Sequence, residues 1–248
     1  MFKNMNAEID QLKQHIQQGP LHHHEVKQLE KYFKIKLTYT SNALEGNSLT
    51  ETETKVILED GLTIGGKTMR EHFEVIGHGE AFDMMYQLAA GTTITEANIL
   101  RLHKLFYERI DTTQAGFYRS VNVFISGTDH VFPGAAVVPQ LMQEFTAQIP
   151  VQQKALHPVT FAAWLHERFV SIHPFIDGNG RTARLLMNLA LLQKGYVISI
   201  IPLVMRAEYL LALRHVNKGD VTPFYDFISE MVYESHKEYL RLLTGDQR

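Results

Sequence analysis

The chain has 248 residues, no cysteine and a net charge of −3 from 24 basic and 27 acidic side chains. That excludes a disulfide framework and thiolate chemistry and gives no electrostatic basis for binding nucleic acid. A hydrophobic fraction of 45% suits one large domain with a sizeable core. No apolar run approaches the roughly 18 residues of a membrane span, and residues 1–13 lack a signal-peptide pattern, so a cytoplasmic protein without a membrane partner is expected.

Helical spacing dominates. Ile9, Leu12 and Ile16 recur at helix period before a Gly19-Pro20 break, and Val26, Leu29, Phe33 and Leu37 do so after it. The second pattern runs through Tyr39 and Leu44 and stops at Gly46, a natural C-terminal glycine. Thr50 and Glu53 pair as a capping box, opening a helix through Val56, Ile57 and Leu58 that ends near Gly61. Residues 62–67 read as a loop, 69–88 as a long helix and 95–108 as another. Residues 120–125 then alternate and are rich in β-branched side chains. With the turn sequence Ser126-Gly127-Thr128-Asp129 and residues 130–132, they read as a short β-hairpin. Helices are expected again from about Val138, Thr160, Asn179, Leu203 and Thr222. The predicted class is all-α with one small hairpin, with no repeats and no linker between independent domains.

The most informative stretch is His173-Pro174-Phe175-Ile176-Asp177-Gly178-Asn179-Gly180-Arg181-Thr182-Ala183-Arg184. It joins a helix with apolar spacing over 161–172 to one that is apolar on nearly every face over 185–192, closed by Lys194 and Gly195. Two glycines flanking Asn179 permit a tight turn whose N–H groups converge at a helix N-terminus, a site for phosphate. Arg181 and Arg184 fall in the first turn on one face, where they oppose the helix dipole unless an anion is bound, and their forks suit phosphate oxygens. Asp177 is placed to hold Mg²⁺ against phosphates, and His173 to accept a proton near neutral pH.

This stretch resembles the Fic family signature, His-Pro-Phe-x-Asp/Glu-Gly-Asn-Gly-Arg-x-x-Arg, at every position, and the likeness runs from about Ser41 to about Leu240. The resemblance implies a Fic-type helical bundle with a β-hairpin flap, and an enzyme that transfers AMP from Mg²⁺-ATP to a Ser, Thr or Tyr hydroxyl of a target protein, the chain itself among the candidate targets. On that reading His173 is the base and Asp177 the Mg²⁺ ligand. Gly178, Asn179 and Gly180 form the anion hole, Arg181 and Arg184 grip the triphosphate, and Phe175 anchors the loop. Residues 206–220 resemble the nucleoside-binding helix, with Asn217 on the nucleoside and Tyr209 beside the base; packing is the equal alternative for Tyr209, and the next position, aromatic in relatives, is Leu210. The hairpin over 121–132 resembles the flap that pairs with an extended target segment, with Ile125 the docking residue.

Ser41-Asn42-Ala43-Leu44-Glu45-Gly46 matches the family's inhibitory motif, Ser/Thr-x-x-x-Glu-Gly/Asn. Ser41 and Glu45 share a helix face, and a Glu45–Arg184 pair would occupy the arginine that the γ-phosphate needs. The resemblance divides the chain into an N-terminal helical region, 1–68, with the inhibitory helix at about 38–46, and a catalytic core, 69–248. Removal of AMP, a Doc-like phosphotransferase, and a nucleotide-sensing binding module are the alternatives; the Doc branch carries Lys where this chain has Gly180. A homodimer is a further option. Three other features carry less: the adjacent histidines His22, His23 and His24 do not share a helix face, His166 has no third metal ligand near His173, and Gly65-Gly66-Lys67-Thr68 lacks the rest of a phosphate loop.

Overall fold

The computed structural model describes residues 2–19, 23–91, 93–124 and 131–245. The described elements are α1 (Asn6–Gln18), α2 (His23–Leu44), α3 (Glu51–Lys55), α4 (Met69–Ala89), α5 (Glu96–Tyr107), α6 (Val138–Ala155), α7 (Pro158–Ile172), α8 (Asn179–Gln193), α9 (Arg206–Val216) and α10 (Thr222–Thr244). α3 widens into a π turn, Val56–Asp60, that Gly61 ends in the left-handed conformation. The expected capping box at Thr50 and Glu53 is present, and the same device starts α4 (Thr68 with Glu71) and α5 (Thr95 with Asn98). No helix among the described residues is long and apolar enough to cross a membrane.

The core centres on α8, which is buried without a break from Arg181 to Leu191. α7 packs along it most extensively, and α4, α5 and α2 close its other sides. Each large apolar side chain fully buried here contributes about 1.5–3 kcal/mol, so the helix is apolar on nearly all faces for a structural reason. Its buried Asn188 is used on backbone: the amide donates to the Arg184 and Ser199 carbonyls and accepts from the Ser199 N–H. Val197 and Ile200 of that buried, non-helical segment donate to His236 and Ser235 of α10. Every N–H so satisfied is one the core need not leave unpaired.

The hairpin is the one expected element that the described residues do not show. Residues 120–124 and 131–134 form no strand ladder, and Ile125 lies outside the described residues, as does the turn. The described flanks are held by side chains. The Val121 and Pro133 carbonyls accept from the Arg119 guanidinium, and the Ala135 N–H donates to the Asn122 side chain.

Candidate active site

The loop between α7 and α8 is shaped by its own side chains. α7 ends at His173, whose N–H donates to the Phe169 carbonyl and whose backbone is left-handed (φ 52°, ψ 59°). It is the one non-glycine residue with positive φ among those described, a strained state that persists only where its surroundings enforce it. Phe175 is fully buried and stacks on His103, ring centroids 3.6 Å apart. The tautomer of His103 follows from its partners: Nδ1 accepts from the Gly116 N–H, so Nε2 carries the proton and donates to the Asp177 carbonyl at 3.1 Å. Burial holds His103 at about 4, consistent with that neutral form.

Asn179 turns back on the loop, its side chain accepting from the Phe175 N–H and donating to the Phe175 carbonyl, each at 2.9 Å. Any contact of Asn179 with an anion therefore falls to its backbone. Gly178 is left-handed (φ 78°), and a Cβ there would press within 2.7 Å of the Phe106 ring. The first intrahelical bond of α8 runs from the Thr182 N–H to the Gly178 carbonyl. The N–H groups of Asn179, Gly180 and Arg181 thus lack intrahelical acceptors at the positive end of the helix.

Two guanidinium groups share that end, and carboxylates from distant parts of the chain answer them. Arg184, 1% exposed, donates Nε to Ser41 Oγ (2.9 Å), Nη2 to the Ser41 carbonyl (2.8 Å) and to Glu45 Oε1 (2.7 Å), and Nη1 to the Tyr209 hydroxyl (3.3 Å). Arg181, 2% exposed, lies over the Phe106 ring at 4.3 Å and pairs with Glu74 and Asp177, each at 3.0 Å. Asp177 also accepts from Arg70 at 2.7 Å. Glu74 takes an amide hydrogen bond from Asn47, which ties the turn after α2 to Arg181. Burial pushes the Glu45 carboxyl up, but Arg184 and Arg181 outweigh it and hold it below the ordinary carboxylate range. Protein surrounds this carboxylate on most sides, yet 38% of the Glu45 side chain remains open to solvent.

The His173 imidazole is held at about 4, first by burial and then by the Arg119 charge, against opposing pulls from the Val170 carbonyl, Glu45 and Asp177. It is neutral at neutral pH. Its Nδ1 is buried without a hydrogen-bond partner among the described residues. Phe132 covers the ring, centroids 4.2 Å apart.

The remaining expected residues fall as follows. Tyr209 is 4% exposed, packed by His166, Phe224 and Phe227, with its hydroxyl on Arg184 and 3.1 Å from His166 Nε2. In this placement the ring is enclosed by protein and its hydroxyl supports the arginine, which is the packing alternative for Tyr209. Asn217 is exposed at the end of α9. His166 is fully buried, His24 bonds Gln28, and Lys67 donates to Ser48 while Thr68 caps α4. Sequence reading missed Arg70, Glu74, His103 and Arg119. Only the capping and motif residues carry a local signal; these four reach the site from elements that sequence spacing does not connect.

Residues 93–191 match the family described as Fic/DOC. The chain is 38% identical over 213 residues to a protein named Protein adenylyltransferase Fic from Drosophila grimshawi, a match covering 85% of this chain and 43% of that protein. It therefore spans less than half the length of that relative. Among solved structures, Fic-1 of C. elegans superposes with a TM-score of 0.89 at 29% identity, covering 98% of this chain and 72% of that one. A Fic domain containing signaling protein from Bacteroides thetaiotaomicron does so with 0.89 at 27% identity, covering 98% and 97%. The unbroken signature on the α7–α8 loop, the matched segment and the shared fold make this chain a member of the Fic family.

Proposed function

We propose that the chain transfers AMP from ATP to a hydroxyl of a protein, and that Glu45 holds it in an inhibited state. The observation that carries this reading is the pairing of Glu45 with Arg184 at 2.7 Å over the N-terminus of α8, beside a neutral histidine. The acceptor hydroxyl attacks the α-phosphorus, the bond to the departing pyrophosphate breaks, and the hydroxyl proton passes to the His173 imidazole. Such a displacement depends on positioning and charge neutralisation more than on covalent help. The free N–H groups of Asn179, Gly180 and Arg181 and the forks of Arg181 and Arg184 suit an oligophosphate, and Asn217 is our candidate for the nucleoside contact.

Asp177 fits Mg²⁺, which takes one or two carboxylates and completes its shell with phosphate oxygens and water. When bound, the ion neutralises charge on the triphosphate. Arg70, with 55% of its side chain exposed, is free to leave Asp177 for solvent.

Two alternatives meet different observations. A Doc-like phosphotransferase is disfavoured by Gly180, where the Doc branch carries Lys. Removal of AMP is favoured as a second activity by the partly open, ionised Glu45, which could orient a water. The test is incubation with α-labelled ATP: label should enter protein with Glu45→Gly and not with Glu45→Gly/His173→Ala. Equal labelling in the two variants would overturn the assignment of His173.

A further inference from the structure

Arg119 is 2% exposed, and among the described residues no carboxylate pairs with it. A buried cation without a counter-ion is costly, so the side chain needs a reason to be there. Its guanidinium donates Nε to the His173 carbonyl (2.7 Å), Nη1 to the Val121 carbonyl (3.0 Å) and Nη2 to the Pro133 carbonyl (2.5 Å). Its own N–H donates to the Pro174 carbonyl at 2.9 Å. These acceptors belong to three separate places: the strained end of α7, and the two segments 121–124 and 131–134. A planar fork of fixed geometry can hold three carbonyls at once; an ammonium offers a single point.

The same two segments carry exposed apolar side chains, Phe124 at 88% and Val131 at 81%. Next to Val131, Phe132 packs on the His173 ring. The left-handed His173 is therefore fastened twice to this pair of segments, through its carbonyl by Arg119 and through its ring by Phe132.

We propose that Arg119 is a positioning residue for the transfer reaction, holding His173 and the segments that receive the acceptor in one rigid frame. This rests on the reading of His173 as base and of these segments as the acceptor's docking surface. Without the fork, acceptor and base are no longer registered to one another, although the phosphate-facing arginines keep their own partners. Displacement of reacting groups by about 1 Å costs about 10²-fold in rate.

The test uses Arg119→Lys and Arg119→Met in a Glu45→Gly background. Self-modification by α-labelled ATP gives the rate, calorimetry gives affinity for a non-hydrolysable ATP analogue, and hydrogen exchange follows the amides of His173 and Ala135. The expected result is a rate about 10²-fold lower, analogue affinity within about twofold of the parent, faster exchange at both amides, and Lys less affected than Met. A rate within twofold of the parent overturns the proposal. Rate, analogue affinity and melting temperature falling together also overturn it, since Arg119 would then serve the fold alone. If the Glu45→Gly parent is itself inactive, the functional reading fails separately. Hydrogen exchange then decides, and unchanged exchange in Arg119→Lys rejects the coupling.

Discussion

Replacing Glu45 should move stability and nucleotide affinity in opposite directions. In the resting chain Glu45 supplies one charge-assisted hydrogen bond, 2.7 Å long, to an arginine that is 1% exposed. Bonds to charged groups contribute about 1.5–3 kcal/mol, but 38% of the Glu45 side chain is open to solvent. Screening lowers the figure to about 1–2 kcal/mol. Arg184 keeps Ser41 Oγ, the Ser41 carbonyl and the Tyr209 hydroxyl, so the loss is partial. Glycine at position 45 adds about 0.5–1 kcal/mol of backbone entropy. Together these amount to a melting temperature lower by roughly 3–12 °C for a chain of this size.

ATP, to reach Arg184, must displace the same carboxylate that the substitution removes. Affinity for ATP should therefore rise by about 5–30-fold, the equivalent of 1–2 kcal/mol. Glu45→Gln separates charge from backbone effects: it keeps shape and an acceptor oxygen, and should fall between wild type and Glu45→Gly in both measurements. Differential scanning calorimetry without nucleotide, titration calorimetry with ATP, and incorporation of α-labelled ATP read the three quantities. An unchanged melting temperature together with unchanged affinity and wild-type labelling would refute the argument, because Glu45 would then be an ordinary solvated glutamate.

Loss of the base in His173→Ala should lower AMP transfer about 10²–10⁴-fold with ATP affinity retained; His173→Asn, which tolerates the left-handed backbone better, should be equally inactive in the labelling assay. Asp177→Asn, tested in the Glu45→Gly background, should raise the Mg²⁺ concentration for half-maximal transfer at least about tenfold, and an unchanged Mg²⁺ titration would make Asp177 a loop residue only. Acid should unfold the chain early. Burial holds His78 at about 3, His103, His173 and His236 at about 4, and His166 well below its ordinary value. The unfolded chain binds these protons near pH 6.5 and the fold does not, so stability falls as pH drops from about 6.5 to 4, by up to about 1.4 kcal/mol per pH unit for each group. Glu167, which burial pushes up to about 7, opposes this with one proton that the fold takes up first. Circular dichroism should show the melting temperature declining steadily below about pH 6.5, and a flat profile from pH 7 to 5 would contradict these assignments.

What sequence makes legible here is what is local. Helix starts at Thr50 and Thr68 obey hydroxyl-to-amide geometry within four residues, and the loop from His173 to Arg184 carries its chemistry in consecutive positions. The pairing of Glu45 with Arg184 spans 139 residues and is legible only because each partner sits in a short motif. Arg70 and Glu74 have no such marker: on the sequence they are charged residues four apart on a helix, an ordinary solvated pair. Only the packing of α4 against α8 turns them toward Asp177 and Arg181. The alternation over 120–125 records residues suited to extended backbone. What it does not signal is that Arg119, just before it, joins the Val121 and Pro133 carbonyls across the two flanking segments.

On the proposed reading, the charge pattern at the start of α8 accounts for an inhibited resting state. Arg70, Arg181 and Arg184 stand among Glu45, Glu74 and Asp177, three guanidinium groups balanced by three carboxylates. A helix N-terminus carrying two buried arginines could not be left bare, since dipole and charges have the same sign and an uncompensated buried charge is strongly destabilising. If this end of α8 grips an oligophosphate as proposed, it must bind something else when the nucleotide is absent, and carboxylates have the geometry that the same forks accept. Glu74 and Asp177 approach Arg181 from α4 and from the loop itself. Glu45 approaches Arg184 from the turn that follows α2, and is the member whose removal exposes no helix interior. Deleting it leaves the cluster one positive charge in excess beside three unsatisfied N–H groups, which is the electrostatic definition of a vacant phosphate site. Substituting Glu74 by Gln should leave the same excess charge without opening the site, because Arg181 retains Asp177 and Glu45 still covers Arg184.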